Sequence, residues 1–268
     1  MNITIPANGS EALFRQRKLS RLLTLMDRCN SPEIFRKRTF LFKGGKTVYE
    51  LPSYSCKGSA DDHIRIGLFA GVHGDETAGS HALARFGQMV GKNPALAQGY
   101  SLFLYPVCNP TGFEYGTAVS RRGKDLNQEF WRNSAEPEIT ILEEEIRANK
   151  FHGIISLHVN SDSQGIFGYA SGATLTKDLL RPALEAASEY LPVNTEKIIN
   201  GFPSHEGIVS RLHDGALAGP PGFRRRAFEI TIEVPGQAPQ YLQENVLLSA
   251  LLVILTEYRK YISFAANL

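Results

Sequence analysis

The hydrophobic pattern changes between two periods along the chain, one typical of buried strands and one typical of helices. From residue 64 onward, continuous apolar runs alternate with stretches of helical spacing. The predicted strands are IRIGLFA, SLFLYPV, GIISLH and AFEITIEV, and the predicted helices are TAGSHALARFGQMV, SAEPEITILEEEIRANK, TLTKDLLRPALEAASEYL and a long helix over about 240–264. This alternation predicts an α/β fold, a three-layer sandwich in which a mostly parallel, mixed and twisted sheet has helices on both faces.

A helix and a hairpin are predicted to precede this core. Residues 10–29 carry leucines at helical spacing and a basic face, which a solvated helix explains better than an anionic partner does. Two alternating runs flank Gly44 and Gly45, a pattern typical of a β-hairpin.

We expect one domain over residues 1–268, because no internal repeat or clear linker divides the chain. The N-terminal helix and hairpin fall within 10–52, and the core falls within 60–262. Only residues 201–225 form a long stretch without a clear period. Loops of that length in a compact domain are usually functional or mobile.

Composition then excludes several classes of protein. A balance of 29 basic and 27 acidic residues, net charge +2, argues against a nucleic-acid or polybasic membrane partner. The longest apolar run, 246–255, is far shorter than the ~20 residues of a membrane span. The N-terminal segment lacks the apolar core of a signal peptide. Three widely spaced cysteines, Cys29, Cys56 and Cys108, suit a reducing compartment. We therefore expect a cytoplasmic protein, and the oligomeric state stays open.

Two predicted strands end in side chains that suit a metal ion. His73 and Glu76 follow the first strand in GVHGDE and could converge on one cation if the turn bends around it, and His158 ends a later strand. Imidazole nitrogen and carboxylate oxygen are good zinc donors, and three protein ligands leave a fourth position open, as in catalytic sites. Each residue alone has a structural explanation, such as a turn histidine or an acid at a helix N-terminus. Their joint placement at strand ends, where α/β proteins bind ligands, favours the metal site.

A third strand carries carboxylates on one face. Glu229, Thr231 and Glu233 alternate along FEITIEV and therefore point to the same side of the sheet. Buried carboxylates are costly unless they are paired or lie near a cation. An ion pair with the arginines at 224–226 is the structural explanation, and a catalytic carboxylate is the functional one.

Together, five features resemble the zinc carboxypeptidase family. They are GVHGDE at 71–76, NPTG at 109–112, DLNQEF at 125–130, His158 closing a strand, and TIEVP at 231–235. The resemblance covers roughly residues 60–235 and is to the carboxypeptidase A fold in its short bacterial form. That form includes murein peptide amidases and the succinylglutamate desuccinylase and aspartoacylase branch.

The resemblance implies a role for each matching residue. His73, Glu76 and His158 match the zinc ligands, which implies one zinc ion per chain. Glu233 matches the general base that takes a proton from the attacking water and returns it to the leaving amine. Asp125 matches the carboxylate that orients the first zinc histidine.

Substrate-binding roles follow from the same resemblance. Asn127 matches the residue that holds the substrate's terminal carboxylate. Arg121 or Arg122 matches the arginine that polarises the scissile carbonyl, and we favour Arg121.

Two departures from the family concern substrate binding. Gln128 stands where the family has the arginine that clamps the substrate's C-terminal carboxylate, and a neutral amide cannot form that bidentate pair. Either Arg132 or Arg211 substitutes for it, or the substrate lacks a free carboxylate there. The family's mobile tyrosine has no counterpart either, since residues 201–225 contain no tyrosine.

The expected function is that of a zinc-dependent metallohydrolase, a metallocarboxypeptidase that cleaves an amide bond in a peptide or peptide-like substrate. An N-acyl-amino-acid deacylase is the alternative, with an acylated amino acid as substrate. The acylase branch usually has a further C-terminal β domain, whereas residues 234–268 are mostly predicted helix, so we expect the peptidase. A third possibility is a zinc-binding relative that has lost catalysis, suggested by Gln128 and the missing tyrosine.

Overall fold

The computed structural model describes residues 19–27, 34–57, 64–222 and 226–265, with side chains described up to residue 261. Its helices are α1 Leu19–Asp27, α2 Thr77–Lys92, α3 Pro110–Tyr115, α4 Pro137–Asn149, α5 Ala173–Leu175, α6 Arg181–Ala187 and α7 Gln240–Ala265. Two short 3-10 helices lie at Pro94–Ala97 and Leu126–Gln128, and a π-helical turn at Thr176–Leu180 joins α5 to α6. Its strands are β1 Phe35–Gly44, β2 Thr47–Lys57, β3 Ile64–Ala70, β4 Tyr100–Tyr105, β5 Gly153–Asn160, β6 Phe167–Ala170, β7 Ile198–Ile199, β8 Phe202–His205, β9 Ile208–Val209 and β10 Phe228–Pro235.

These strands form one mixed sheet in the order β1-β2-β4-β3-β5-β10-β6-β9-β8-β7. The four central strands, β4, β3, β5 and β10, run parallel. The margins are mostly antiparallel, since β1, β2 and β4 pair in that way at one side and β10 with β6 at the other. The predicted α/β fold with a mixed sheet is confirmed, and its parallel character is concentrated at the centre.

Side chains that alternate along the central strands separate two apolar layers. On β3, Leu68 and Ala70 join the layer formed with α1, α2, α6 and α7, whereas Phe69 joins the layer formed with α4. Phe69 stacks on Tyr105 with ring centroids 4.6 Å apart, and both rings are fully buried. Because apolar side chains project from both faces of the sheet, helices cover both faces, as predicted.

The final helix packs inside the first of these layers. Val246, Leu247, Ala250 and Leu251 of α7 are completely buried, which agrees with the apolar run in the sequence. Within the described ranges, no helix combines the length and the apolar character that crossing a bilayer requires.

The N-terminal predictions are confirmed where the structure describes them. Helix α1 covers residues 19–27 of the predicted 10–29, and the remaining predicted residues, including Cys29, lie outside the described ranges. The hairpin is formed by β1 and β2 around Gly45, whose φ of 65° is in the left-handed region that glycine tolerates.

The stretch at 201–225 differs from the expectation of one irregular segment. It contains β8 and β9, which extend the sheet beyond β6, while residues 223–225 lie outside the described ranges. Strands of two to four residues are too short to show a hydrophobic period, and for this reason the sequence pattern missed them.

Candidate metal centre and adjoining cavity

Parallel strands β3, β5 and β10 bring the predicted functional residues to one edge of the sheet. The turn after β3 carries His73 and Glu76, and β5 carries His158 near its carboxyl end. On β10, Glu233 is directly paired in register with His158. The turn after β3 packs against the NPTG segment so closely that a Cβ on Gly74 would lie 2.0 Å from the Gly112 backbone.

Three side chains converge at this edge. The Nδ1 atom of His73 lies 2.5 Å from Oε1 of Glu76, and the Nδ1 atom of His158 lies 3.1 Å from Oε2 of the same carboxylate. One potential ligand atom from each residue falls within 4.8 Å of the others. We call His73, Glu76 and His158 the metal cluster. Two imidazole nitrogens and a carboxylate oxygen are a donor set that zinc accepts, so the residues present fit this ion.

The other ring nitrogen of each histidine is already hydrogen-bonded. Nε2 of His73 lies 2.9 Å from Oδ1 of Asp125, and Nε2 of His158 lies 2.7 Å from Oγ of Ser156. Such outer partners fix the ring orientation and direct the free nitrogen towards a metal ion. The structure thus brings Asp125 to the first histidine, as the resemblance implies. Sequence reasoning missed Ser156, although its place two residues before His158 on the same strand face was a usable signal.

Negative charge in the cluster stabilises positive charge on the histidines. Burial alone would lower the pKa of His73, but hydrogen bonds with Asp125 and Glu76 raise it to about 10. Burial raises the pKa of Glu76, but the nearby His158 and His73 lower it to about 2. The hydrogen bond with His73 lowers the pKa of Asp125 to about 2. The same carboxylates would stabilise a bound cation.

Glu233 differs from Glu76 and Asp125, because its pKa is raised and theirs are lowered. Burial raises its pKa to about 7, more than the neighbouring His158 lowers it. No described residue forms a hydrogen bond with its carboxylate, in contrast to that of Glu76, which accepts one from the Val159 amide at 2.9 Å. A carboxyl group with a pKa near neutrality is suited to take up and release a proton at physiological pH.

A cavity that is open to solvent adjoins the cluster. Its polar lining comprises Asn127, His158, Asn200, Arg211, His213 and Glu233, together with two buried hydroxyl residues of the central strands. Four of these six are residues that the sequence analysis assigns to the site, and Asn200 and His213 belong to none of its motifs.

Two residues of the DLNQ segment have different surroundings. Asn127 lines the cavity, and its Oδ1 accepts a 3.1 Å hydrogen bond from the Leu217 amide. Within the described part of the chain its Nδ2 has no hydrogen-bond partner, so this donor is available to a ligand. Gln128 is exposed and lies outside the cavity lining, and its Nε2 donates to Oδ2 of Asp125 at 2.7 Å.

The structure also separates the two candidate replacements for the missing family arginine. Arg211 lines the cavity, and its guanidinium lies over the ring of Phe202 at 4.9 Å from the centroid. Arg132 is absent from the lining and packs beside Gly215. Only Arg211 is therefore placed to meet a bound ligand in the cavity.

Arg121 and Arg122 do not line the cavity, contrary to the expectation for an arginine that polarises the substrate. The Arg121 guanidinium donates to the hydroxyl groups of Tyr49 at 2.9 Å and Tyr115 at 3.3 Å. Arg122 donates to the Ala135 carbonyl oxygen at 2.7 Å. Both guanidinium groups have hydrogen-bond partners outside the cavity, which is the physical reason for the difference.

The loop that follows Arg211 is fastened to the segment around Asn127. In addition to the Leu217 contact, the Phe130 amide donates to the Gly215 carbonyl oxygen at 3.1 Å. Trp131 Nε1 donates to the Ala218 carbonyl oxygen at 2.9 Å. One wall of the cavity is thus tied to the segment that carries Asp125.

Known proteins resemble this chain in sequence profile and in fold. Residues 62–163 match the sequence profile of the succinylglutamate desuccinylase/aspartoacylase catalytic domain. This segment contains the three cluster residues, Asp125 and Asn127. No curated protein sequence matches the chain.

Solved structures share the fold at low sequence identity. A proposed metallopeptidase from Shewanella amazonensis matches with a TM-score of 0.72 and 19% identity, over 89% of this chain and 92% of that chain. A metallo-carboxypeptidase from Burkholderia cenocepacia matches with a TM-score of 0.70 and 14% identity, over 92% and 70% of the two chains. A metallo-carboxypeptidase from Pseudomonas aeruginosa, in complex with (2-guanidinoethylmercapto)succinic acid, matches with a TM-score of 0.65 and 18% identity, over 90% and 69%.

The protein therefore has the fold of the carboxypeptidase-like metallohydrolases. The predicted resemblance to zinc carboxypeptidase-like proteins, including the desuccinylase and aspartoacylase branch, is confirmed.

Proposed function

We propose that this protein is a zinc-dependent hydrolase that cleaves an amide bond, with one zinc ion per chain held by His73, Glu76 and His158. The observation that carries the proposal is the convergence of both Nδ1 atoms on the Glu76 carboxylate while both Nε2 atoms are occupied. A bound zinc ion would supply a Lewis acid that polarises the scissile carbonyl and brings the pKa of water towards ~7.

Glu233 is the general base of this proposal. It lines the cavity beside His158, where its carboxylate can accept the proton of the attacking water and pass it to the leaving amine. The bond between the carbonyl carbon and the amide nitrogen then breaks. Arg121 and Arg122 take no part here, since both side chains have partners outside the cavity.

The proposed substrate is a small peptide or an acylated amino acid. The cavity lining offers donors to a substrate anion, among them Asn127 Nδ2 and the Arg211 guanidinium. We place cleavage of a peptide first. The deacylase is the second candidate, favoured by the profile match over residues 62–163. Cytoplasmic location stays part of the proposal, because Cys56 and Cys108 are free thiols.

The decisive experiment replaces the base and keeps the metal ligands. We expect Glu233→Gln to retain one zinc per chain and to lose at least ~10³-fold in kcat, because the amide cannot accept the water proton. Glu229→Gln, on the same strand and strand face, is the matched control. A glutamine there can still accept the hydrogen bond of the Gly219 amide, so near wild-type activity is expected. Full activity of Glu233→Gln would refute the assignment.

A substrate panel separates the two candidate reactions. Zinc-loaded protein is offered N-acetyl-L-leucine and N-acetylglycyl-L-leucine, and released leucine is quantified. Preference for the dipeptide supports the carboxypeptidase, and preference for the acetylated amino acid supports the deacylase. Zinc binding without hydrolysis of any amide in a broad panel would indicate a relative that has lost catalysis.

A further inference from the structure

Gln128 is connected to the metal cluster through Asp125 and lies outside the cavity. Its side chain is exposed, it is absent from the cavity lining, and its Nε2 atom donates to Oδ2 of Asp125 at 2.7 Å. The resemblance assigns substrate binding to this position, but that role needs a cationic side chain that reaches the cavity. The partner of Gln128 in this chain is instead the carboxylate that holds His73.

The local backbone explains why the two side chains meet. Residues Leu126–Gln128 form one turn of 3-10 helix, and Asp125 is its N-cap. Side chains three residues apart eclipse each other in a 3-10 helix, so Gln128 falls over Asp125. The contact therefore follows from the local sequence Asp-Leu-Asn-Gln and its turn.

The turn itself is held in place. Leu126 is fully buried, and Oδ1 of Asn127 accepts from the Leu217 amide at 3.1 Å. A Cβ on Gly215 would lie 2.3 Å from the Gln128 carbonyl oxygen, so the backbone of Gln128 is closely packed as well. Since this backbone is already fixed, the hydrogen bond to Asp125 orders only the torsions of one side chain.

Both oxygens of the Asp125 carboxylate have partners. Oδ1 lies 2.9 Å from Nε2 of His73 and accepts from the Asn127 amide at 2.9 Å. Among the described residues, Gln128 alone donates to Oδ2. A partner on Oδ2 restricts rotation of the carboxylate and so keeps Oδ1 directed at His73. A neutral amide does this without sharing the negative charge of Asp125, as an arginine would.

We propose that Gln128 is a positioning residue for zinc binding, which fixes the Asp125 carboxylate so that this carboxylate holds the His73 ring in its metal-binding orientation. The inference rests on the proposed zinc site and deepens it. A position that serves substrate binding in the family that the chain resembles serves the metal site here.

The zinc affinity of Gln128→Met tests the proposal. Methionine has a similar length but cannot donate a hydrogen bond. We expect zinc affinity, measured by competition with a chelator, to fall about 5-fold, the range of one hydrogen bond.

Gln88→Met is the matched control. It removes a glutamine hydrogen bond of 3.1 Å, to the Leu25 carbonyl oxygen, and should leave zinc affinity unchanged. An equal loss of affinity in both variants, or no loss in Gln128→Met, would overturn the proposal.

A double-mutant cycle tests the route through Asp125. Asp125→Ala removes the acceptor, so Gln128→Met should cause no further loss of zinc affinity in that background. A general weakening of the fold would instead add in both backgrounds. A further loss of about 5-fold beside Asp125→Ala would therefore contradict the proposal.

Kinetics distinguish positioning of the metal site from binding of the substrate. With saturating zinc, Gln128→Met should keep kcat and KM for N-acetylglycyl-L-leucine within about 2-fold of wild type, because excess zinc restores occupancy by mass action. A raised KM with unchanged zinc affinity would assign Gln128 to substrate binding and overturn the proposal.

A measurement on metal-free protein separates this inference from the proposed function. Hydrogen exchange of the Asn127 amide, which donates to the same carboxylate, is followed by NMR in the presence of a chelator. Gln128→Met should accelerate this exchange about 5-fold, and Gln88→Met should not. Faster exchange supports the hold of Gln128 on Asp125 even if wild type binds no zinc, an outcome that would refute the metal site. Zinc binding with unchanged exchange and affinity in Gln128→Met would support the metal site and overturn the role of Gln128.

Discussion

The metal cluster and the far wall of the cavity are built by different means. The cluster lies at the ends of parallel central strands, where each polar atom has a partner: His73 with Asp125, His158 with Ser156, and Glu76 with both histidines. The far wall is formed by residues 198–217, which include the short strands β7–β9, and by Asn127 of the adjoining DLNQ segment. There the donors Arg211 and Asn127 Nδ2 have no polar partner among the described residues.

The contrast between the two regions teaches where reaction and selectivity reside. A fully satisfied polar cluster is rigid and specifies one arrangement, which suits a fixed chemical step. Unpaired donors on a loop-built wall suit recognition of a variable substrate. Changes in the cluster should therefore alter metal binding and kcat, whereas changes in the far wall should alter KM.

The largest effect is expected when the cluster loses its imidazoles. The double variant His73→Ala, His158→Ala should bind no zinc and lose at least ~10³-fold in activity, since a single carboxylate cannot hold the ion. Metal analysis of the purified protein checks this result, with His205→Ala, His213→Ala as a control that should keep its zinc. Equal zinc in wild type and the cluster variant would show that the ligands are assigned wrongly.

Removing an outer partner of the cluster should have a smaller effect of the same kind. Asp125→Asn weakens the hold on His73 Nε2, and zinc affinity should fall about 10- to 100-fold. Competition with a chelator measures the change, and the exposed Asp162→Asn is its control. An unchanged zinc affinity together with a raised KM would show that Asp125 acts in substrate binding, as the far wall does, and not in metal binding.

Glu233 lies between the two regions, and its raised pKa should make the free energy of unfolding depend on pH. In metal-free protein, its raised pKa means that ionisation penalises the folded state progressively as pH rises from its unfolded value of about 4.5 to above 7. Glu233→Gln removes this penalty. The variant should therefore gain about 3 kcal/mol over wild type at pH 8 and almost nothing at pH 4.5.

Urea unfolding at the two pH values, in the presence of a chelator, measures this difference. Glu229→Gln serves as the comparison, because its carboxyl group has a raised pKa from burial but is hydrogen-bonded to the Gly219 amide. A gain for Glu233→Gln that is the same at both pH values would contradict the assigned cause.

The smallest effect is expected from the far wall alone. A Cβ on Gly215 would lie 2.3 Å from the Gln128 carbonyl oxygen, and φ at this residue is 85°. Gly215→Ala should push the loop away from the DLNQ segment and raise KM about 10-fold, with zinc content and kcat almost unchanged. Gly201→Ala has similar backbone strain with open space around it, so it separates strain from crowding. Loss of zinc in Gly215→Ala would show that the far wall also affects metal binding, which contradicts the division of roles between the two regions.

The same contrast explains what the sequence could predict. Long buried strands such as β3, β5 and β10 carry a clear hydrophobic signal, and their ends locate the cluster through short motifs. The sequence could not predict the far wall, because β7 and β9 have two residues each and no period. It also could not predict that Arg121 meets Tyr49 on the hairpin, since that contact joins residues 72 positions apart.

Strand β10 lies between the two regions. It pairs in parallel with β5 on one side and antiparallel with β6 on the other. Glu233 consequently has His158 as one cross-strand neighbour and Phe167 as the other. A protein engineer could exchange the segment between β6 and β10 for one from a relative and leave the base and the metal ligands in place. In such an exchange the substrate selectivity could change while the catalytic residues stay as they are.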